Sequence, residues 1–172
     1  MPERLVALGF VPDDPAALMV LDLHTAPPAL LAPVAAELRR ITSREGLEDV
    51  IAIEEQVWGG DFAWMRTRMG DHLAIPGYLS IFVADAERRP ACVGWTYFYP
   101  NSQFAGLWGG STVPEYRKRG LYTAVLAARV QEAIARGYRY LTIEAGPMSR
   151  PIVAAHGFRF LATTWSYGWK GE

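Results

Sequence analysis

Three cations and a glycine stand directly before a helical stretch: Arg117-Lys118-Arg119-Gly120 runs into Leu121-Tyr122-Thr123. The first turn of a helix leaves backbone N–H groups without partners and carries partial positive charge. A glycine at the turn removes the side chain that would hold an anion off the backbone. Together these features suit a phosphate or pyrophosphate. A solvated basic turn would be the plain alternative for the four residues alone. What precedes them favours the anion site: Gly109-Gly110-Ser111-Thr112-Val113 stops at Pro114, which cannot donate to a strand ladder. Paired glycines also leave a strand surface that a ligand can approach closely.

Elsewhere chemistry is sparser. His24, His72 and His156 are scattered, with no cysteine or paired carboxylate at ligand spacing, so no metal site is expected. Cys92 is the one cysteine; it excludes an intrachain disulfide and reads as a small buried hydrophobe. Trp58, Trp64, Trp95, Tyr97 and Tyr99 could line a pocket or simply pack as core. Glu54, Glu55 and Asp61 could attract a cation or mark a surface helix end.

The elements that must position these residues follow from periodicity and punctuation. A short helix over Arg4 to Leu8 and a strand over Ala17 to Leu23 come first, then a Pro-rich linker from Ala26 to Pro33. The boundary is placed there: residues 1–33 form an N-terminal arm and residues 34–172 the main domain. Strand, two helices and a hairpin are expected over Val34 to Ile41, Thr42 to Val57, Asp61 to Leu73, and Tyr78 to Tyr99. A strand over Phe104 to Val113, a helix over Leu121 to Arg136 and a strand over Tyr138 to Glu144 follow. A short helix capped by Ser149 and a last strand run from Phe158 to Trp169 complete the chain. On the long helix, Tyr122, Leu126, Val130 and Ile134 are expected in the core, with Glu132 and Arg136 on the exposed side. The order is that of an α/β or α+β domain with a mixed sheet. Arg4 to Phe10 also resembles Ile152 to Phe158, each ending in Gly-Phe before an apolar strand. The arm therefore reads either as the tail of a second, degenerate copy of the fold or as an unrelated corner of similar shape.

Val113-Pro114-Glu115-Tyr116-Arg117-Lys118-Arg119-Gly120 resembles the central motif of the GNAT superfamily of N-acetyltransferases, Q/R-x-x-G-x-G/A after a Val-x-Pro-like strand end. Arg117, Gly120 and Tyr122 take its defined positions, Tyr122 standing where a small residue is usual. The resemblance runs from about Leu38 to Trp169 and implies a mostly antiparallel mixed sheet flanked by helices, with a splayed strand pair at the CoA site. It implies acetyl-CoA as acyl donor, a primary amine of a small molecule or peptide as acceptor, and direct attack of the amine on the thioester. Ser111, Thr112 and Val113 would pair with the pantetheine arm. Arg117, Lys118, Arg119, Gly120, Leu121, Tyr122 and Thr123 would hold the pyrophosphate, and Ser149 would touch the cofactor. The Val113 N–H could polarise the carbonyl. Glu144 is a candidate base, and Ser149 a candidate donor to the leaving thiolate. Two departures matter: the family's proton-donating tyrosine is replaced by Val153, and Phe104 to Val113 contains no acid. A non-catalytic acyl-CoA-binding module is the alternative.

Bulk properties set the remaining expectations. At 172 residues with 51% hydrophobic content the chain can bury a full core. A net charge of -1 argues against a nucleic-acid footprint. The apolar stretch from Pro27 to Leu38 is too short and proline-broken to span a bilayer. A soluble cytoplasmic protein is expected, and an early strand able to pair with an edge in its own chain or a partner's leaves a homodimer open.

Overall fold

A computed structural model describes residues 2–169. Its centre is a seven-stranded sheet. Helix α1 (Pro2–Ala7) and strand β1 (Phe10–Pro12) lead into β2 (Ala16–Asp22); a helical turn at Leu23–Thr25 and the short α2 (Pro28–Leu31) follow. Next come β3 (Leu38–Ile41), α3 (Leu47–Trp58), α4 (Trp64–Leu73), β4 (Leu79–Ala86), β5 (Arg89–Phe98) and β6 (Phe104–Thr112). A turn at Pro114–Tyr116 precedes α5 (Leu121–Ala135), β7 (Tyr140–Ala145), α6 (Arg150–Ala155), β8 (Arg159–Thr164) and β9 (Tyr167–Trp169). The sheet order is β3-β4-β5-β6-β7-β2-β8, and β1 pairs with β9 in a separate two-stranded ribbon. Only β6 and β7 run parallel; the other neighbours are antiparallel. This is the mixed, mostly antiparallel sheet flanked by helices that the sequence implies.

Strand alternation sorts the two faces. Gly94 turns toward α5, where a Cβ would lie 2.7 Å from the Arg129 guanidinium carbon. The next residue, Trp95, faces α4 and borders a cavity there. On α5 Leu121, Val125, Leu126, Ala127, Arg129, Val130 and Ala133 are buried, while Ile134, expected inside, is exposed. Glu132, expected outside, is mostly covered: its carboxylate accepts from the Ser80 hydroxyl at 2.6 Å and pairs with Arg136 and Arg40.

The segment expected to be a linker is packed instead. Leu30 is fully buried, and Gln131 of α5 donates to the Leu30 and Ala32 carbonyls. Residues ahead of Pro33, read as an arm, supply the inner strand β2, whose Ala17, Met19 and Leu21 enter the core between β7 and β8. The last aromatic run is two strands, because the chain turns between Thr164 and Tyr167. Among the described residues no helix is long and apolar enough to cross a membrane.

Candidate active site

The site begins where two parallel strands part. β6 pairs with β7 only from Phe104 to Leu107, yet stays on β5 as far as Thr112. Beyond Leu107 and Ile143 the two strands diverge, so one edge of β6 faces a cleft. The register with β5 slips at Gly109, with φ of 66° at Gly109 and 92° at Gly110. Both are left-handed values that favour glycine. A Cβ on Gly109 would sit 2.3 Å from the Trp95 ring, and one on Gly110 would sit 2.9 Å from Tyr122. Each glycine therefore lets an aromatic ring approach the bulged strand closely. Tyr122 is accommodated at the motif's small-residue position in this way: its ring turns inward under Gly110, away from the loop. Burial pushes its phenol pKa up, and the hydroxyl has no protein partner.

Arg129 fixes the bulge from beneath. Completely buried, it donates from Nε to the Val125 carbonyl and from Nη1 to the Trp108 carbonyl. Burial lowers its pKa, with the Tyr122 and Cys92 groups nearby favouring the charge.

After β6 the loop closes on itself. The Arg117 guanidinium turns back to the Thr112 carbonyl, while Arg119 pairs with Glu87 and lies over the Tyr116 ring. Gly120 has φ of 82°, and a Cβ there would meet nothing within 4 Å, so the space in front of the helix is open. The first helical bond of α5 runs from Ala124 N–H to the Gly120 carbonyl. The N–H groups of Leu121, Tyr122 and Thr123 are thus left toward the loop.

Three sequence expectations change here. The Val113 N–H donates to the Ala91 carbonyl at 2.9 Å, so it cannot also polarise a substrate. Alternation along the ladder then turns the Thr112 N–H, not that of Val113, toward the open edge. Ser149 adopts helical angles and makes no cap; its hydroxyl donates to the Gly146 carbonyl at 3.3 Å. Glu54 is not at a surface: it is 5% exposed, beside Ser111 and Trp58. Burial raises its pKa, and its Oε1 has no hydrogen-bond partner among the described residues. The remaining members of that acidic group are apart from it, both exposed, with Asp61 bonding the Ala63 N–H.

Two cavities meet at Tyr99 and Trp108. One, of about 350 Å³, is the cleft itself, walled by Gly109 on β6 and by Thr142 and Glu144 on β7. The other, of about 260 Å³, lies against α4 and is walled by Trp64, Trp95, Tyr97, Tyr99 and Trp108, with Arg68 and His72 at its side. Gly106 makes the junction possible, since a Cβ there would press on the Tyr99 hydroxyl at 2.9 Å and the Trp108 indole at 3.1 Å. Four of the five aromatics singled out in the sequence line this second cavity; Trp58 instead donates its indole N–H to the Ser111 hydroxyl. Trp108, Arg68 and Met65 also line it and no motif in the sequence marks them, although Trp108 adjoins the glycine pair. Among the described residues no cluster of three metal-ligating side chains occurs.

Residues 47–158 match the model of the Acetyltransferase (GNAT) family. The chain belongs to that family. No curated protein matches it in a sequence search. Among solved structures, a GCN5-related N-acetyltransferase from Kribbella flavida shares 16% identity, with a TM-score of 0.71 over 100% of this chain and 64% of that one. A Clostridium acetobutylicum structure described as a predicted acetyltransferase with acetyl-CoA matches at 16% identity and a TM-score of 0.60, covering 72% of this chain and 89% of that one. An AAC(6')-Iy structure in complex with a bisubstrate analogue, CoA-S-monomethyl-acetylneamine, matches at 22% identity and a TM-score of 0.60, covering 72% and 90%. At these identities the likeness shows a GNAT fold. The larger matches span 92–100% of this chain, while the chain spans only 64–66% of the length of three of them and 22% of a fourth.

Proposed function

We propose that this GNAT protein is an acetyl-CoA-dependent N-acetyltransferase whose amine acceptor has an apolar or aromatic body. The observation that carries the reading is the meeting of two cavities at Tyr99 and Trp108, one bordered by an unpaired strand edge and the other by aromatic rings. The residues fit the donor: β6 offers an edge without side chains at Gly109 and Gly110, and the loop offers backbone donors around an open space at Gly120. Ser111, Thr112 and Val113 form the strand side, with the Thr112 N–H presented to the cleft. Arg117, Lys118, Arg119, Gly120, Leu121, Tyr122 and Thr123 form the anion cradle, Tyr122 through its backbone alone. When bound, acetyl-CoA supplies a thioester carbonyl open to attack by an amine.

Glu144 is the carboxylate that faces the cleft, and it takes the amine proton directly or through water. Ser149, at the start of α6, contacts the cofactor. Val153 is fully buried and has no proton to give, so the thiolate leaves without a side-chain acid from that position. The acceptor cavity is mostly apolar, and its Arg68 guanidinium lies over Trp64 with no ion pair among the described residues. A fixed cation there disfavours polycationic amines. The cytoplasm is the compartment we propose, and the single free, buried thiol of Cys92 is compatible with it.

Free-thiol release from acetyl-CoA, corrected for hydrolysis, tests the proposal across a panel of arylalkyl, aliphatic and polycationic amines. Arylalkyl amines should give the highest kcat/KM, and Glu144→Gln should lower kcat by about 10²–10⁴-fold, the usual scale of general-base contributions. Micromolar acetyl-CoA binding with no amine-dependent release would instead support a binding module. The buried Val153 and the lack of an acid on β6 are the observations that favour that second reading.

A further inference from the structure

We infer that the ribbon of β1 and β9 is half of an unfinished sheet, built to receive a β7-like strand from a second lobe of the same fold. The argument starts from the repeat. Gly9-Phe10 and Gly157-Phe158 correspond in sequence, and the correspondence extends to the pairing. Met19 lies opposite Phe160 and Val20 opposite Arg159. At the same separation their counterparts are Tyr167 opposite Pro12 and Gly168 opposite Val11, and those pairs are also present. The packing repeats as well: a Cβ on Gly157 would meet Leu21, and a Cβ on Gly9 would meet Trp169, the counterpart of Leu21. The chain from β1 to β2 and the chain from β8 to β9 are thus related by an approximate two-fold axis, each lending its second strand to the other.

The two sides of that axis are not equally complete. On one side β2 lies between β8 and β7, and Ala17, Met19 and Leu21 are buried at 5%, 2% and 2% exposure. On the other, β9 lies beside β1, and among the described residues no strand takes the place of β7. The counterparts of the three buried residues are Trp165, Tyr167 and Trp169; the tryptophans are 55% and 67% exposed and the tyrosine half-buried. Large aromatics at core positions, left in solvent, mark an interaction surface.

The backbone agrees on which edge is open. Asp13 N–H donates to the Ser166 carbonyl at 2.9 Å, which sets the phase of the ribbon. Gly168 therefore faces β1, while the N–H and C=O groups of Tyr167 and Trp169 face outward. The outer edge of β1 carries Pro12, whose missing N–H discourages further pairing. Among the described residues the β9 edge has no such guard. A second copy of this chain could not supply the missing strand, because its own β7 is covered by β6 on one side and β2 on the other. A distinct lobe with an uncovered β7-like strand fits. Three structures matched over 92–100% of this chain are about half as long again, whereas two matched over 72% of it are covered almost entirely.

The test uses a peptide of the chain's own Arg139 to Gly146 sequence, which stands for a β7-like strand, with a scrambled peptide as control. Amide exchange of the 15N-labelled chain is followed by NMR as each peptide is titrated. Saturable binding of the native-order peptide should slow exchange at Tyr167 and Trp169 at least tenfold, leave Thr163 unchanged, and be absent for the scrambled one. Tyr167→Pro removes an outward N–H together with one ring of the surface and leaves the bonds between β1 and β9 in place, so it should keep the fold and abolish the protection. Equal binding of both peptides, no saturable binding, or protection that appears through self-association of the chain alone would overturn the inference.

Discussion

Gly109→Ala perturbs the bulge and the acceptor cavity at once. The native φ of 66° places an alanine in the left-handed region, which costs about 1–2 kcal/mol. The added Cβ would also fall 2.3, 2.6 and 2.9 Å from three atoms of the Trp95 ring, so that ring must move. Forcing one carbon into a filled site typically costs about 1–3 kcal/mol. The two parts together come to about 3 kcal/mol. For a domain of this size about 2–4 °C of Tm is lost per kcal/mol, so a fall of roughly 6–12 °C is expected by calorimetry. Because Trp95 borders the acceptor cavity, KM for an arylalkyl amine should rise more than KM for acetyl-CoA. The decisive measurement is a double-mutant cycle with Trp95→Ala. Removing the ring relieves the steric part but not the backbone part, so the two changes should couple by about 1–3 kcal/mol. Additive losses, or a Gly109→Ala variant as stable as the parent, would refute the contact as the reason for the glycine.

The anion cradle and the buried carboxylate make separate predictions. Gly120→Glu places a carboxylate in the open space before α5, and calorimetric CoA affinity should fall at least 100-fold while the fold survives. A Gly120→Asn variant, which tolerates the backbone angle, should lose far less. Glu54 has a pKa raised by burial, so the fold binds a proton more readily than the unfolded chain does. Stability tied to that proton is present below the ordinary carboxylate range and is lost as pH rises through the raised value. Glu54→Gln should therefore gain Tm relative to the parent as pH rises above the ordinary carboxylate range, the gain levelling off once the raised pKa is passed; a difference constant with pH would count against the buried charge.

Some of this was legible in the sequence for local reasons. The strand stop at Pro114, the glycine turn and the helix after it are written in neighbouring residues, and the structure places them as read. What escaped depends on contacts between distant segments. Whether Val113 or Thr112 faces the cleft is decided by the phase of the ladder to Ala91, which no pattern within β6 encodes. Glu54 looks like a helix-surface acid until Trp58 and Ser111 enclose it. Trp108 sits next to a recognised glycine pair, but its role depends on Arg129, twenty-one positions on, holding its carbonyl. The Pro-rich segment resembled a linker because prolines punctuate chains, whereas here they start a helical turn that docks on α5.

The place of β2 has a kinetic consequence. The first long strand of the chain is an inner strand of the sheet, and both its neighbours, β7 and β8, come from the last part. During synthesis it must wait, apolar and unpaired, until nearly all of the chain has emerged. Its pairings carry the largest loop-closure cost in the sheet and should form late. The half of the sheet built from β3 to β6 has no such delay, so folding should proceed from the hairpin outward and finish where the two ends of the chain interlock.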